Sequence, residues 1–172
     1  MNGIEYTYDK NIFRDSMKKN LHGEPIQHED MLEEVERWMD SGNPGLVLMG
    51  SVGTGKTTLA YAMRDAWDTP LTIARVRKCD KIADLIKQDE SWKREIAGYT
   101  GLLVLDDFGT EPKVWGEESI PYILYRRIEN GLATIITTNL NTEQIRQRYG
   151  ERIADRLRTY DQIVMNYQSL RQ

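Results

Sequence analysis

The stretch "GSVGTGKTTLA", Gly50 to Ala60, puts three glycines and one lysine into its first seven positions, directly after the apolar run Leu46-Val47-Leu48-Met49. Glycines free the backbone to curl until successive N–H groups point inward, and a helix that follows adds the positive end of its dipole. Gly50-x-x-x-x-Gly55-Lys56-Thr57 has the phosphate-loop spacing and stands where that chemistry needs it, between a strand and a helix. The stretch therefore reads as a nucleoside triphosphate site. Gly50, Ser51, Val52, Gly53, Thr54, Gly55, Lys56, Thr57 and Thr58 would line the phosphates. Lys56 would reach the β and γ phosphates, and the Thr57 hydroxyl would ligate Mg2+. A glycine-rich turn with an accidental lysine is the bland alternative.

Outward from this point the chain repeats one grammar, a helical segment followed by a short apolar run. From Glu29 to Met39, Met31, Leu32, Val35, Trp38 and Met39 recur at helical spacing, and "DSGNPG" then breaks the helix. Beyond the glycine loop, Leu59, Met63 and Trp67 share a helix face up to Asp68-Thr69-Pro70. Trp38 and Trp67 read as packing residues. Leu71 to Val76 reads as a strand and Asp80 to about Ile96 as helical, with Ile82, Leu85 and Ile86 inward. "LLVLDD" is a continuous apolar strand of the kind buried on both faces of a parallel sheet. Ser119 to Glu129 reads as a helix, Ala133 to Thr137 as a strand, Thr142 to Arg158 as a helix and Ile163 to Met165 as a last short strand. Strands alternating with helices of this length predict an α/β fold with a central parallel β-sheet flanked by helices. The first twenty or so residues carry little periodicity and read as an extended arm or linker.

Composition narrows the class. The 172 residues are 40% hydrophobic and 29% charged, long enough for one core. No stretch approaches a spanning helix and the N-terminus lacks a basic-then-apolar leader, so a soluble cytoplasmic protein with no membrane role is expected. One cysteine, Cys79, allows neither an internal disulfide nor a thiolate zinc cluster. A net charge of −4 argues against nucleic-acid binding through the whole surface but leaves room for a local basic stripe.

A phosphate loop does not say where the phosphate goes, and the next acids bear on that. "LLVLDDFG" ends a buried strand with Asp106 and Asp107, at the strand end where parallel sheets bind ligands. Asp106 is then the expected magnesium carboxylate, and Asp107 could orient and polarise an attacking water. A loop-capping aspartate pair is the alternative. "ATIITTNL" ends in Asn139, whose amide could bond both the γ phosphate and the lytic water; an Asn after a strand is also a common turn residue. In "RQRYGERIADRLRTYDQ", Arg152 and Arg156 are four apart and share a helix face. They could neutralise transition-state charge, in cis or from a neighbouring subunit, or form a solvated face paired with Glu151 and Asp155.

These elements in this order resemble the AAA+ ATPases of the DnaC, DnaI and IstB group, the helicase loaders and related transposition helper ATPases. The resemblance runs from about Leu46 to Arg171 and rests on "GSVGTGKTTLA", "LLVLDDFG", "YRRIENGLATIITTNL", "YGERIADRLR" and "SLR". It implies a P-loop NTPase of AAA+ type without a separate helical lid domain, with residues 1–40 forming an N-terminal arm and first helix and 41–172 the ATPase core. By resemblance Lys56 and Thr57 take Walker A roles, Asp106 and Asp107 Walker B roles, and Asn139 that of sensor 1. Arg156, with Arg152 beside it, resembles an arginine finger acting on the ATP of an adjacent subunit, and Arg171 a sensor 2 arginine. The cofactors implied are ATP and Mg2+. The partners implied are a replicative helicase or a transposase, single-stranded DNA, and further copies of the chain in an ATP-dependent homo-oligomer.

The departures are a Walker B Asp107 where many AAA+ proteins carry Glu, and only about fifty residues before the phosphate loop, some forty of them before the expected core. That is too few for a separate helicase-gripping domain, so either a naturally short protein or a fragment is expected. Candidate DNA contacts are Arg75, Arg77, Lys78, Lys81, Lys87, Lys93 and Arg94, interleaved with Trp92 and Tyr99. Asp80, Asp84, Asp89, Glu90 and Glu95 dilute that charge, so a solvated mixed-charge helix remains the alternative. Three other functions stay open: a transposition helper ATPase, a nucleotide-gated replication adaptor or inhibitor with little turnover, and a small-molecule P-loop kinase.

Overall fold

The computed structural model describes residues 6–20, 28–70 and 72–166, with the side chains of residues 113–117 outside that description. In chain order the elements are α1 (Lys10–Asn20), α2 (Glu29–Ser41), β1 (Gly45–Gly50), α3 (Lys56–Asp65), β2 (Arg75–Lys78), α4 (Cys79–Gln88) and α5 (Ser91–Gly98). They continue with β3 (Leu103–Phe108), α6 (Lys113–Glu129), β4 (Thr134–Thr138), α7 (Thr142–Tyr149), α8 (Glu151–Leu157) and β5 (Asp161–Met165).

All five strands run parallel in the order β2-β3-β4-β1-β5. Side chains alternate across a strand, so an unbroken apolar run must be covered twice. Leu46 and Leu48 of β1, Val104 of β3 and Ile135 of β4 pack with α1, α2 and α3. Val47, Met49, Leu103, Leu105 and Ile136 pack on the other side with α4 to α8. The result is a three-layer sandwich of helices, sheet and helices, the α/β architecture that the sequence predicts. Among the described residues there is no separate helical lid domain, and no helix is long and apolar enough to cross a membrane.

The strand order also sets the site. From β1 the chain crosses to the far edge at β2, returns through β3 and β4, and then passes over β1 to place β5 on the other side. The connections that leave the neighbours β1 and β4 run in opposite directions, and such a switch point opens a crevice at the carboxyl ends of the strands.

Several boundaries differ from the sequence reading. Residues 10–20 are helical rather than an extended arm: the Asp9 carboxylate accepts from the N–H groups of Asn11 and Ile12, and Phe13 and Met17 bury the inner face. The strand expected at Leu71 to Val76 begins at Arg75 instead, where backbone pairing with Leu103 starts. The helical region after it is split into α4 and α5, with Ile82 and Ile86 buried and Leu85 half-buried. The last helical stretch is likewise two helices, broken at Gly150, whose φ of 87° ends α7. α2 buries the five residues that its spacing selects, and the Trp38 indole donates to the Gly45 carbonyl (3.0 Å).

Candidate nucleotide site

β1 delivers the chain to Gly50, where φ is 154° and any Cβ would collide with the Met165 carbonyl of neighbouring β5. Gly55 follows at φ 90°, and α3 starts directly after it at Lys56. The first N–H groups of α3 have no acceptor within the helix and face the loop, the arrangement that binds anions. Thr54, buried, closes the loop by donating to the Ser51 carbonyl (3.0 Å). Ser51 and Val52 are exposed at its tip, and Thr58 is half-buried in the first turn of α3.

Lys56 is curled into this loop and only 6% exposed. Its ammonium donates to the carbonyls of Gly50 (2.8 Å) and Ser51 (2.7 Å) and approaches the Thr54 hydroxyl (3.4 Å). Burial holds its pKa below the usual lysine value, against the opposing pull of Asp107 and Asp106.

Asp106 is fully buried at the end of β3. Its Oδ1 accepts from the hydroxyls of Thr57 (2.9 Å) and Thr137 (2.7 Å), while Oδ2 has no hydrogen-bond partner among the described residues. A buried carboxylate oxygen without a donor is costly in a fold that satisfies almost every other polar group. An oxygen-only pair, the Thr57 hydroxyl and the Asp106 carboxylate, suits a hard divalent cation such as Mg2+. The residues present fit that ion.

Asp107 follows in a bulge where the β3–β4 register slips, and its φ of 58° turns the backbone left-handed. Its N–H donates to the Thr137 hydroxyl (2.9 Å), and its carboxylate lies 3.5 Å from the Lys78 ammonium. Thr137 thus donates to one aspartate and accepts from the other, fixing both. Sequence reading singled out Asn139 on this strand and missed Thr137. Asn139 is exposed one residue beyond β4, and Thr137 makes the contact to Asp106. The signal was present in "TTNL", but only the strand register aims one of those threonines at Asp106.

The structure therefore brings Lys56, Thr57, Asp106 and Asp107 together. It holds Arg152 and Arg156 elsewhere, on α8 against Tyr125 of α6, with no bond to any of those four. Arg171 lies outside the described residues. Three of the seven basic side chains in the candidate DNA segment are ion-paired: Lys81 meets Asp80 and Asp84, Lys93 meets Glu90, and Lys78 meets Asp107 of β3. Arg75 stacks on Tyr99 (4.3 Å), whose hydroxyl is itself bonded to the Ile73 carbonyl. Those ion pairs are the arrangement expected of a mixed-charge surface.

A family model for IstB-like ATP binding proteins matches residues 31–169. The chain belongs to that family. Among solved structures, this IstB-like chain is similar to the DnaC helicase loader, at 25% identity and a TM-score of 0.71 over 83% of this chain and 92% of that one. It shares its fold with DnaI, at 21% identity and a TM-score of 0.71 over 92% and 93% of the two chains. It also shares its fold with the replication initiator DnaA bound to AMPPCP and single-stranded DNA. That likeness is 16% identity and a TM-score of 0.69 over 86% of this chain and 50% of that chain. No curated protein matches the IstB-like chain.

Proposed function

We propose that this IstB-like chain is an ATP-hydrolysing AAA+ protein of the helicase-loader type, working on single-stranded DNA with a helicase as an ATP-dependent assembly of its own copies. The observation that carries the reading is the convergence of Thr57, Thr137 and the half-satisfied Asp106 carboxylate beside a buried Lys56 at the switch point of the sheet. The loop N–H groups and Lys56 bind the phosphates; Lys56 exchanges its loop carbonyls for phosphate oxygens. Thr57 and Asp106 hold Mg2+, which when bound offsets the negative charge on the phosphates. Asp107, set by Thr137, orients the attacking water and accepts its proton at the carboxylate, and Asn139 steadies that water from just beyond β4. Arg156, with Arg152, serves the nucleotide of a neighbouring copy, and Arg171 completes the site from the C-terminal segment.

ATPase rate against protein concentration, with and without single-stranded DNA, tests this reading. The specific rate is expected to climb with concentration and again with DNA. Lys56→Ala is expected to abolish nucleotide binding, and Asp107→Asn to keep binding while losing turnover. Arg156→Ala is expected to cost on the order of 10³ in kcat. Brisk hydrolysis by a monomer that ignores Arg156→Ala would sink the assembly reading. A second reading, the transposition helper, is favoured by the family match itself. The same machine would then arrange DNA for a transposase, and pull-down with a helicase against a transposase separates the two.

A further inference from the structure

Two arginines converge on one tyrosine. Arg152 and Arg156 of α8 each place a guanidinium carbon 4.6 Å from the centre of the Tyr125 ring. Both also direct an Nη2 at the same phenolic oxygen, at 3.0 Å and 3.5 Å. The nearest acids in sequence do not neutralise them. Glu151 is paired with Arg146 across the Gly150 break (2.6 Å), and Asp155 with Arg158 (2.8 Å). Among the described residues neither Arg152 nor Arg156 forms an ion pair. The i, i+4 pair is therefore not the self-neutralised helix face that its sequence neighbours suggest.

We infer that Tyr125 is a positioning residue that aligns Arg152 and Arg156 as a two-pronged donor for one phosphoryl group of the nucleotide held by a neighbouring copy of this chain. The inference rests on the reading that the α8 arginines act in trans. Two like charges at one point repel, and only a group that attracts both can hold them together. The ring face attracts each guanidinium, and the neutral hydroxyl accepts a hydrogen bond from each without quenching either charge. An anionic oxygen outbids a phenol for the same N–H groups, so the arginines are held until a phosphate replaces the hydroxyl. α8 is a firm platform for this, because Ile153, Ala154 and Leu157 anchor its opposite side in the core. Holding two long side chains beforehand lowers the ordering cost at the moment of reaction.

The test uses the Tyr125→Phe, Tyr125→Leu and Tyr125→Gln forms of this chain beside Arg156→Ala. Tyr125→Phe, which keeps the ring, is expected to retain kcat within about threefold, and Tyr125→Leu to lose about tenfold, the scale of one cation–π contact. KM for ATP and the melting temperature should stay unchanged, since the subunit's own phosphate loop is intact; Tyr125→Gln serves if the leucine form is unstable. Adding Lys56→Ala subunits, which hold no nucleotide but carry intact arginines, should restore part of the Tyr125→Leu rate. Lys56→Ala/Arg156→Ala subunits should not. A Tyr125→Leu enzyme with wild-type kcat beside an impaired Arg156→Ala overturns the inference and leaves the trans reading standing. If Arg156→Ala is itself indifferent, the trans reading falls and the inference with it. Weaker single-stranded DNA binding with normal kcat at saturating DNA makes the pair a DNA clamp and overturns it too.

Discussion

Arg127 and the pair Arg152 and Arg156 carry the same side chain to opposite ends. Arg127, on the inner side of α6, is wholly buried and spends all its donors inside the fold. Its Nε bonds the Thr134 hydroxyl (2.9 Å), Nη1 the carbonyls of Ile96 (3.2 Å) and Tyr99 (2.7 Å), and Nη2 those of Gly101 (3.2 Å) and Ala133 (2.8 Å). The α8 pair shares one phenol and keeps most of its donors available. A guanidinium whose five N–H groups are all taken joins chain segments, here the end of α5, the turn before β3 and the start of β4. One with donors to spare can still bind an anion.

The largest expected effect lies at Arg127. Burial pushes its pKa down to about 10, so it remains charged at neutral pH while surrounded by neutral acceptors. Arg127→Met would strand several buried carbonyls at once. The expected loss is ~3–5 kcal/mol, read from the denaturant midpoint. Arg127→Lys should recover little, because an ammonium has no planar fork to match four carbonyls. Arg156→Ala should leave the same midpoint almost unmoved, although its effect on turnover is large. If Arg127→Met were neutral in stability, the division between joining and binding arginines would fail.

How legible this was in the sequence depends on whether a feature is local. α2 and the glycine loop are local: one face of a helix and one backbone curl, each specified by residues a few positions apart. β2 was misplaced because "RVRK" is half-buried and polar, so hydrophobicity does not mark it and only pairing with β3 does. α1 was missed because two apolar residues one turn apart give little periodicity, although the Asp9 cap was there to be read. In the site, Lys56, Thr57 and the two aspartates were readable from spacing. Thr137 was not, because a threonine in a strand is ordinary until the register with its neighbours aims it at Asp106. Arg127 was invisible for the same reason. Next to Arg126 it looks like one more surface charge, and the acceptors that claim it come from residues 96 to 134.

Lys56 is the intermediate case, a buried cation held by loop carbonyls yet kept for a ligand. Lys56→Met should raise the stability of the nucleotide-free protein by ~1 kcal/mol, because it removes a buried charge whose two carbonyl acceptors, on Gly50 and Ser51, are open to water. The pH dependence has a definite sign. Since the folded-state pKa is lowered, the unfolded chain binds more protons between that value and the ordinary 10.5. Wild-type stability from this group therefore rises with pH through that window, and the advantage of the methionine form shrinks as the pH approaches 10.5. Chemical denaturation of both proteins at a series of pH values reads the difference directly. A methionine form less stable than wild type at neutral pH would mean that Lys56 joins the loop as Arg127 joins its strands.

The smallest effect belongs to Arg14, a surface arginine paired with two glutamates. On α1 it meets Glu36 of α2 through both Nε (2.5 Å) and Nη2 (3.0 Å), with Glu29 taking its Nη1. The two helices share the core through Phe13 and Met17 on one side and Leu32 and Val35 on the other, so the ion pairs sit over contacts that already hold. About a third of the Arg14 side chain is exposed, and solvent screens much of the attraction. Arg14→Ala is expected to cost ~0.5–1 kcal/mol at low salt, with most of that difference gone at 1 M salt. The loss at Arg127 should barely respond to salt, because it comes from stranded carbonyls rather than from a screened charge. Measuring both variants at low and high salt thus separates two arginines that each bond through all three of their nitrogens. What distinguishes them is whether water can replace those partners.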